Sequence, residues 1–157
     1  GNCLRIACSI FIICSFLSRD INNLLNAFKT YIRPLLEYAS PVWSPSHKTL
    51  INSVEAVQRR FTKRLPGMDQ LSYTERLEIL GLQSLEQRRL ITDLTTCYNI
   101  VHSHSPISFT QFFTFSHNKT SRGHPLRLLV PLAKNNTLGH SFSYRIIQPW
   151  NSLRLPR

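Results

Sequence analysis

Acidic residues are scarce in this sequence. Asp and Glu together number 8 against 19 Lys and Arg in 157 residues, a formal net charge of +11 and a pI near 10.2. An excess of that size favours a polyanionic partner, either nucleic acid or an acidic membrane surface. Glycine is scarce too, with 5 Gly beside 9 Pro, which excludes a collagenous or low-complexity chain. The four Cys are too few for a dense disulfide framework. None sits in a Cys-x-x-Cys pair, so nothing indicates an oxidising compartment. An intracellular location, nuclear or cytoplasmic, is the expectation. The longest apolar run, residues 6–17, falls short of the roughly 20 residues a membrane-crossing helix requires. It reads as a buried helix rather than a signal peptide, and a membrane partner is not expected. The first residue is Gly rather than Met, as in a processed chain or a piece of a longer reading frame.

Catalytic constellations are missing as well. Two-metal phosphoryl transfer needs clustered carboxylates, yet Asp20, Asp69 and Asp93 are isolated and no two acidic residues are adjacent. There is no Gly-x-x-x-x-Gly-Lys-Ser/Thr phosphate loop and no Gly-x-Ser-x-Gly elbow. His102 and His104 lie near Cys97, but no second pair completes a zinc spacing. No catalytic residue, metal site, cofactor or small-molecule substrate is expected of this chain.

What is present is enough for a core. Apolar residues make up 42%, and a chain of this length buries roughly 68–70% of its unfolded surface. Ser18-Arg19-Asp20 opens a helical pattern. Ile21, Leu24, Leu25, Phe28, Ile32, Leu35, Leu36, Ala39, Val42 and Trp43 keep its spacing. Pro34 falls inside that stripe, which predicts a kink or a restart with Pro34 in a first turn; Pro41 and Pro45 end the element. A second helix begins near Ser46 and carries Leu50, Ile51, Val54, Val57, Phe61 and Leu65. Ser72-x-x-Glu75 and Ser84-x-x-Gln87 are capping boxes, and Gly81 is a natural stop between them. The last of these helices places Leu90, Ile91, Leu94, Cys97, Tyr98 and Val101 on one face. The fold class is therefore mainly α, a helical bundle over about residues 5–104. An irregular basic segment follows. In it, residues 127–130 are expected to form a short β-hairpin with residues 137–140. One last short helix begins at Ser141 and carries Phe142, Ile146 and Trp150.

Charge is unevenly placed. Residues 1–45 and 46–104 each carry a net +2, whereas residues 105–157 carry seven basic side chains and no acidic one. A segment of that kind either stays solvated or meets an anion. The densest cluster is Arg59-Arg60-Phe61-Thr62-Lys63-Arg64. On a helix Arg59 lies beside Lys63 and Arg60 beside Arg64, and each like-charge pair costs a few tenths of a kcal/mol. Glu55 is placed to relieve Arg59; nothing local relieves the others. The cluster serves either an external phosphate backbone or a solvated face whose partners, such as Glu75 or Glu78, come from elsewhere in the fold.

Ordered blocks then carry a resemblance. Tyr31-Ile32-Arg33-Pro34-Leu35-Leu36-Glu37-Tyr38-Ala39-Ser40-Pro41-Val42-Trp43-Ser44-Pro45 is followed by Val54-Glu55-Ala56-Val57-Gln58-Arg59-Arg60-Phe61-Thr62. Tyr73-Thr74-Glu75-Arg76-Leu77, Leu80-Gly81-Leu82-x-Ser84-Leu85-Glu86-x-Arg88-Arg89-Leu90 and Thr120-Ser121-Arg122-Gly123-His124 come next. Ser141-Phe142-Ser143-Tyr144-Arg145 and Trp150-Asn151-Ser152-Leu153 complete the series. Together they resemble the region after the catalytic palm in reverse transcriptases of jockey-type non-LTR retrotransposons (LINEs).

The resemblance implies a fragment of an RNA-directed DNA polymerase. Residues 1–19 would end an upstream domain, 20–104 would form the thumb-like bundle, and 105–157 the basic post-thumb segment. The family's aromatic-x-Asp-Asp metal motif is absent from this sequence, so Mg²⁺ would belong to the missing palm. The chain is then not an enzyme as it stands. Its implied partners are that palm and the backbone of an RNA–DNA hybrid or duplex. The candidate nucleic-acid-binding residues are Arg59, Arg60, Lys63, Arg64, Lys119, Arg122, Arg127 and Arg145. The alternative, from another class, is a non-enzymatic helical protein-interaction module from a domesticated or decayed retroelement reading frame.

Overall fold

The computed structural model describes residues 20–116, 125–132 and 135–153. The expected helix at residues 6–17 lies outside them. The described chain is mainly helical, as its patterning predicts. It holds α1 (Ile21–Ala27), a π-helical turn (Phe28–Ile32), α2 (Arg33–Glu37), α3 (Ser40–Trp43), α4 (Lys48–Lys63), α5 (Tyr73–Ile79) and α6 (Leu85–Val101). Then come α7 (Phe109–Phe112), α8 (Asn136–Gly139), α9 (Phe142–Arg145) and α10 (Ile147–Ser152). These form two compact units. The first runs to Ser40 and resumes over Pro45–Arg89; the second comprises Pro41–Ser44 and the chain from Leu90 onward. The change in sequence character falls after residue 104, whereas the units part within α6.

In the first unit Asp20 caps α1, its Oδ2 accepting from the Asn23 N–H at 3.2 Å. The π turn answers Pro34. Proline has no N–H and its ring crowds the carbonyl four residues earlier. The helix widens for one turn, with the Arg33 N–H bonding Phe28 O. It then restarts as α2 with Pro34 in the first turn, the position proline tolerates. The chain reverses at Ala39 (φ 51°). Pro41 lies within α3 rather than ending the element, as the sequence had suggested. Leu25, Phe28, Ile32 and Leu36 form the buried stripe and leave Leu35 outside.

Phe28 stacks on Phe61 of α4 at 4.3 Å between centroids and 12° between planes, a pairing worth about 0.5–1.5 kcal/mol beyond its buried area. Leu65, Met68, Leu80 and Leu85 close this core. Both capping boxes form. Ser72 N donates to Glu75 Oε2 at 2.7 Å and Glu75 N to Ser72 Oγ at 3.3 Å. Ser84 N donates to Gln87 Oε1 at 3.3 Å and Gln87 N to Ser84 Oγ at 3.1 Å. Gly81 takes φ 58°, which lets the Leu82 N–H return to Leu77 O at 2.9 Å and end α5.

The buried side of α6 differs from the expected one. Leu85, Arg89, Asp93, Cys97 and Ile100 are inward, while Leu90, Ile91 and Tyr98 are exposed. The rotation admits Asp93, which has a charged partner within the second unit. Arg145 Nε meets Asp93 Oδ2 at 2.9 Å and Nη2 meets Oδ1 at 3.1 Å. The same guanidinium donates to Pro41 O at 2.8 Å and His140 O at 3.3 Å.

The core of the second unit is Cys97, Ile100, Phe113, Leu128, Ile146, Ile147 and Trp150. Phe109 stacks on Phe115 at 4.3 Å. The expected hairpin is not formed: residues 136–139 are helical. Leu128 bridges Phe115 antiparallel instead, with Ser116 N to Arg127 O at 2.9 Å and Leu129 N to Thr114 O at 2.8 Å. The other side of Leu128 is taken by the Asn151 carboxamide, which accepts from Leu128 N and donates to Leu128 O, both at 2.8 Å. Trp150 Nε1 donates to Leu126 O at 2.9 Å. The expected terminal helix is present as α9 and α10, led by Ser141.

Candidate nucleic-acid interface

Helix α4 carries the cluster. At about 100° per residue, Arg59, Arg60, Lys63 and Arg64 span about 140° of helix circumference. All four are exposed, while Gln58, Phe61, Thr62 and Leu65 fill the opposite side. Lys48, Thr49 and Asn52 continue the exposed face toward the helix start, adding donors of the kind that bind phosphate oxygens.

Glu55 does not neutralise Arg59. It is buried, and its Oε1 accepts from the Tyr73 hydroxyl and, at 3.2 Å, from the Leu85 N–H at the start of α6. Glu75 is committed to its capping box. Among the described residues, ion pairs join Arg33 and Arg88 to Glu37 and Arg145 to Asp93; none involves Arg59, Arg60, Lys63 or Arg64. Partial neutralisation comes from the carboxyl end of α4, since helix macrodipoles favour cations in the last turn.

Behind this face lies a polar cluster that the sequence did not disclose. Gln58 Nε2 donates to Tyr73 Oη at 3.1 Å and Gln83 O at 2.9 Å. Burial, then the Glu55 acceptor and its charge, push the Tyr73 hydroxyl well above its ordinary pKa. Thr62 Oγ1 donates to Arg59 O at 3.2 Å and accepts from Arg76 Nε at 3.2 Å. Buried Arg76 also donates to Leu71 O at 2.6 Å. The guanidinium carbons of Arg59 and Arg76 stand 5.1 and 5.7 Å from the Tyr73 ring centroid. The spacing of Glu55, Gln58 and Thr62 on one helix face was the available signal.

The remaining candidates fall outside the first unit. Lys119 and Arg122 lie outside the described residues. Arg127, in the second unit, is half-buried, and its carbonyl serves the Phe115–Leu128 bridge. Arg145 spends its donors on Asp93, Pro41 and His140. His102 and His104 bring their rings within 6.1 Å of each other. Cys97 is fully buried and its thiol is pushed up to about 12 by desolvation. Among the described residues no group of three or more His, Cys, Asp or Glu is arranged to hold a metal ion.

No family model matches this sequence, and no solved structure matches it. An uncharacterized protein of Caenorhabditis elegans is 26% identical over 85 residues, a stretch covering 52% of this chain and 43% of that protein. None of the described helices is long and apolar enough to cross a membrane.

Proposed function

We propose that this chain is a non-catalytic helical region of a retroelement RNA-directed DNA polymerase and that it binds the sugar–phosphate backbone through the outer face of α4. The observation that carries the reading is the set Arg59, Arg60, Lys63 and Arg64, exposed and without a carboxylate partner among the described residues. A helix that keeps like charges at i,i+4 with no carboxylate partner among the described residues is suited to an external polyanion. The ordered sequence blocks support the polymerase assignment; the palm that would hold Mg²⁺ is not in this sequence.

Binding of this kind is driven by counterion release, with log K falling by about 0.9 per neutralised phosphate for each unit of log salt on B-DNA. Replacing the four cations by Ala should reduce the slope by about three to four, equally on all sequences, because phosphate contacts carry no base identity. An unchanged slope in a variant that keeps its circular dichroism would reduce the cluster to a solvated face. Primer extension by the purified chain with Mg²⁺ should give no product; template-dependent incorporation would overturn the non-catalytic reading.

One observation favours a second reading, a protein-interaction module. In the first unit Tyr31, Leu35 and Tyr38, at i, i+4 and i+7, are 67%, 58% and 79% exposed. An apolar stripe left in water invites association. Light scattering distinguishes the readings: a clean monomer argues against self-association through this stripe.

A further inference from the structure

We infer that Tyr73 is a positioning residue for Arg59, its ring acting as a fixed seat that holds one guanidinium of the α4 face ready for a phosphate. The inference rests on the backbone-binding reading and names the residue that organises it. The Tyr73 ring meets the guanidiniums of Arg59 and Arg76, and the Phe142 ring meets that of Arg145. The Arg76 and Arg145 guanidiniums are tied to internal acceptors. Of these three arginines Arg59 is the exposed one; Arg60, Lys63 and Arg64 have no ring contact among the described residues.

The seat is rigid. The Tyr73 hydroxyl donates to Glu55 and accepts from Gln58, and both of those side chains are buried on α4 itself. The ring is therefore fixed to the helix that presents Arg59. Donating its proton to a carboxylate also raises electron density in the ring, which strengthens its attraction for a cation over its face. Anchoring a free arginine on a phosphate costs side-chain entropy. A guanidinium already held over a ring has lost much of that freedom before the ligand arrives. The planar guanidinium suits such a seat in a way that an ammonium does not.

The test measures affinity of the full chain for a short RNA–DNA hybrid at fixed salt. Tyr73→Leu should weaken binding about two- to fivefold, the range of an exposed cation–π contact. It should do so equally in an Arg60→Ala background and not at all in an Arg59→Ala background. Arg59→Lys should lose a similar factor. Tyr73→Phe, which keeps the ring but loses the hydroxyl bonds that fix it, should fall between wild type and Tyr73→Leu, with circular dichroism checking that both variants fold. The Arg59 side-chain protons should show an upfield ring-current shift in the wild type and in Tyr73→Phe that disappears in Tyr73→Leu, a signal that a general packing role would not produce. Equal loss from Tyr73→Leu in the Arg59→Ala background, or Arg59 protons without the shift, would overturn the seat while leaving the interface standing. Failure of the wild type to bind the hybrid would remove the interface and the inference together.

Discussion

Replacing Arg145 by alanine separates two roles that its sequence leaves open, a phosphate contact and a tie within the fold. The Asp93 side chain is 6% exposed and that of Arg145 is 21% exposed, with Nε and Nη2 on the two carboxylate oxygens at 2.9 and 3.1 Å. Truncation leaves the carboxylate largely out of water and strips Pro41 O of its 2.8 Å donor. Removing one partner of a fully buried pair costs about 3–5 kcal/mol. Water reaches one edge of this guanidinium, so about 2–3 kcal/mol is the expected loss. At roughly 4–8 °C per kcal/mol for a unit of this size, the melting temperature should fall by about 8–24 °C. Urea and thermal unfolding measure the loss. Asp93→Asn combined with Arg145→Ala should recover at least about 1 kcal/mol of it, since contacting residues couple by 0.5–3 kcal/mol. Nucleic-acid affinity of the folded variant should be unchanged. A loss below about 0.5 kcal/mol, the ordinary range of surface substitutions, accompanied by weaker binding, would refute the structural role and return Arg145 to the interface.

Asn151→Ala should cost about 2 kcal/mol in urea unfolding, because it leaves both backbone groups of Leu128 without their side-chain partner. Cys97, buried and with its thiol pushed up to about 12, should resist alkylation at mildly alkaline pH until the chain is unfolded, since the thiolate is the reactive form; a rate matching free cysteine would contradict its placement. The Ser72 hydrogen bonds hold the Glu75 carboxyl below its ordinary range. The stability this supplies is therefore present above the unfolded-state carboxyl pKa and is lost as pH falls through the lower folded-state value. Glu75→Gln should flatten that part of the pH–stability curve.

Elements written in local chemistry were legible in the sequence. The Ser72–Glu75 and Ser84–Gln87 boxes, the Gly81 stop and the restart at Pro34 each depend on residues within one or two turns. The partner of residues 127–130 was not legible. A two-residue bridge has no pattern of its own, and Phe115 is chosen by the core that closes around Phe113, Leu128 and Trp150. Burial of Glu55, Gln58 and Asp93 was missed for a related reason. Polar side chains read as outward until a distant partner is known, and those partners, Tyr73, Gln83 and Arg145, lie 18, 25 and 52 residues away. The basic face of α4 needed no partner and was read directly. Its seat on Tyr73 was hidden by the same distance.

The carboxamide of Asn151 has a consequence for solubility. A strand presents hydrogen-bonding groups on two edges, and an edge left open is a template on which another chain can add. At Leu128 one edge is occupied by the Phe115 segment and the other by a side chain shaped like a peptide group but with no chain continuing from it. The amide copies one residue of a third strand and stops there. Leu129 and Val130 just beyond are exposed apolar residues, and valine favours strands, so an open edge here would invite intermolecular pairing. Asn151 thus works as a terminator: it satisfies the edge that a neighbouring molecule would otherwise complete.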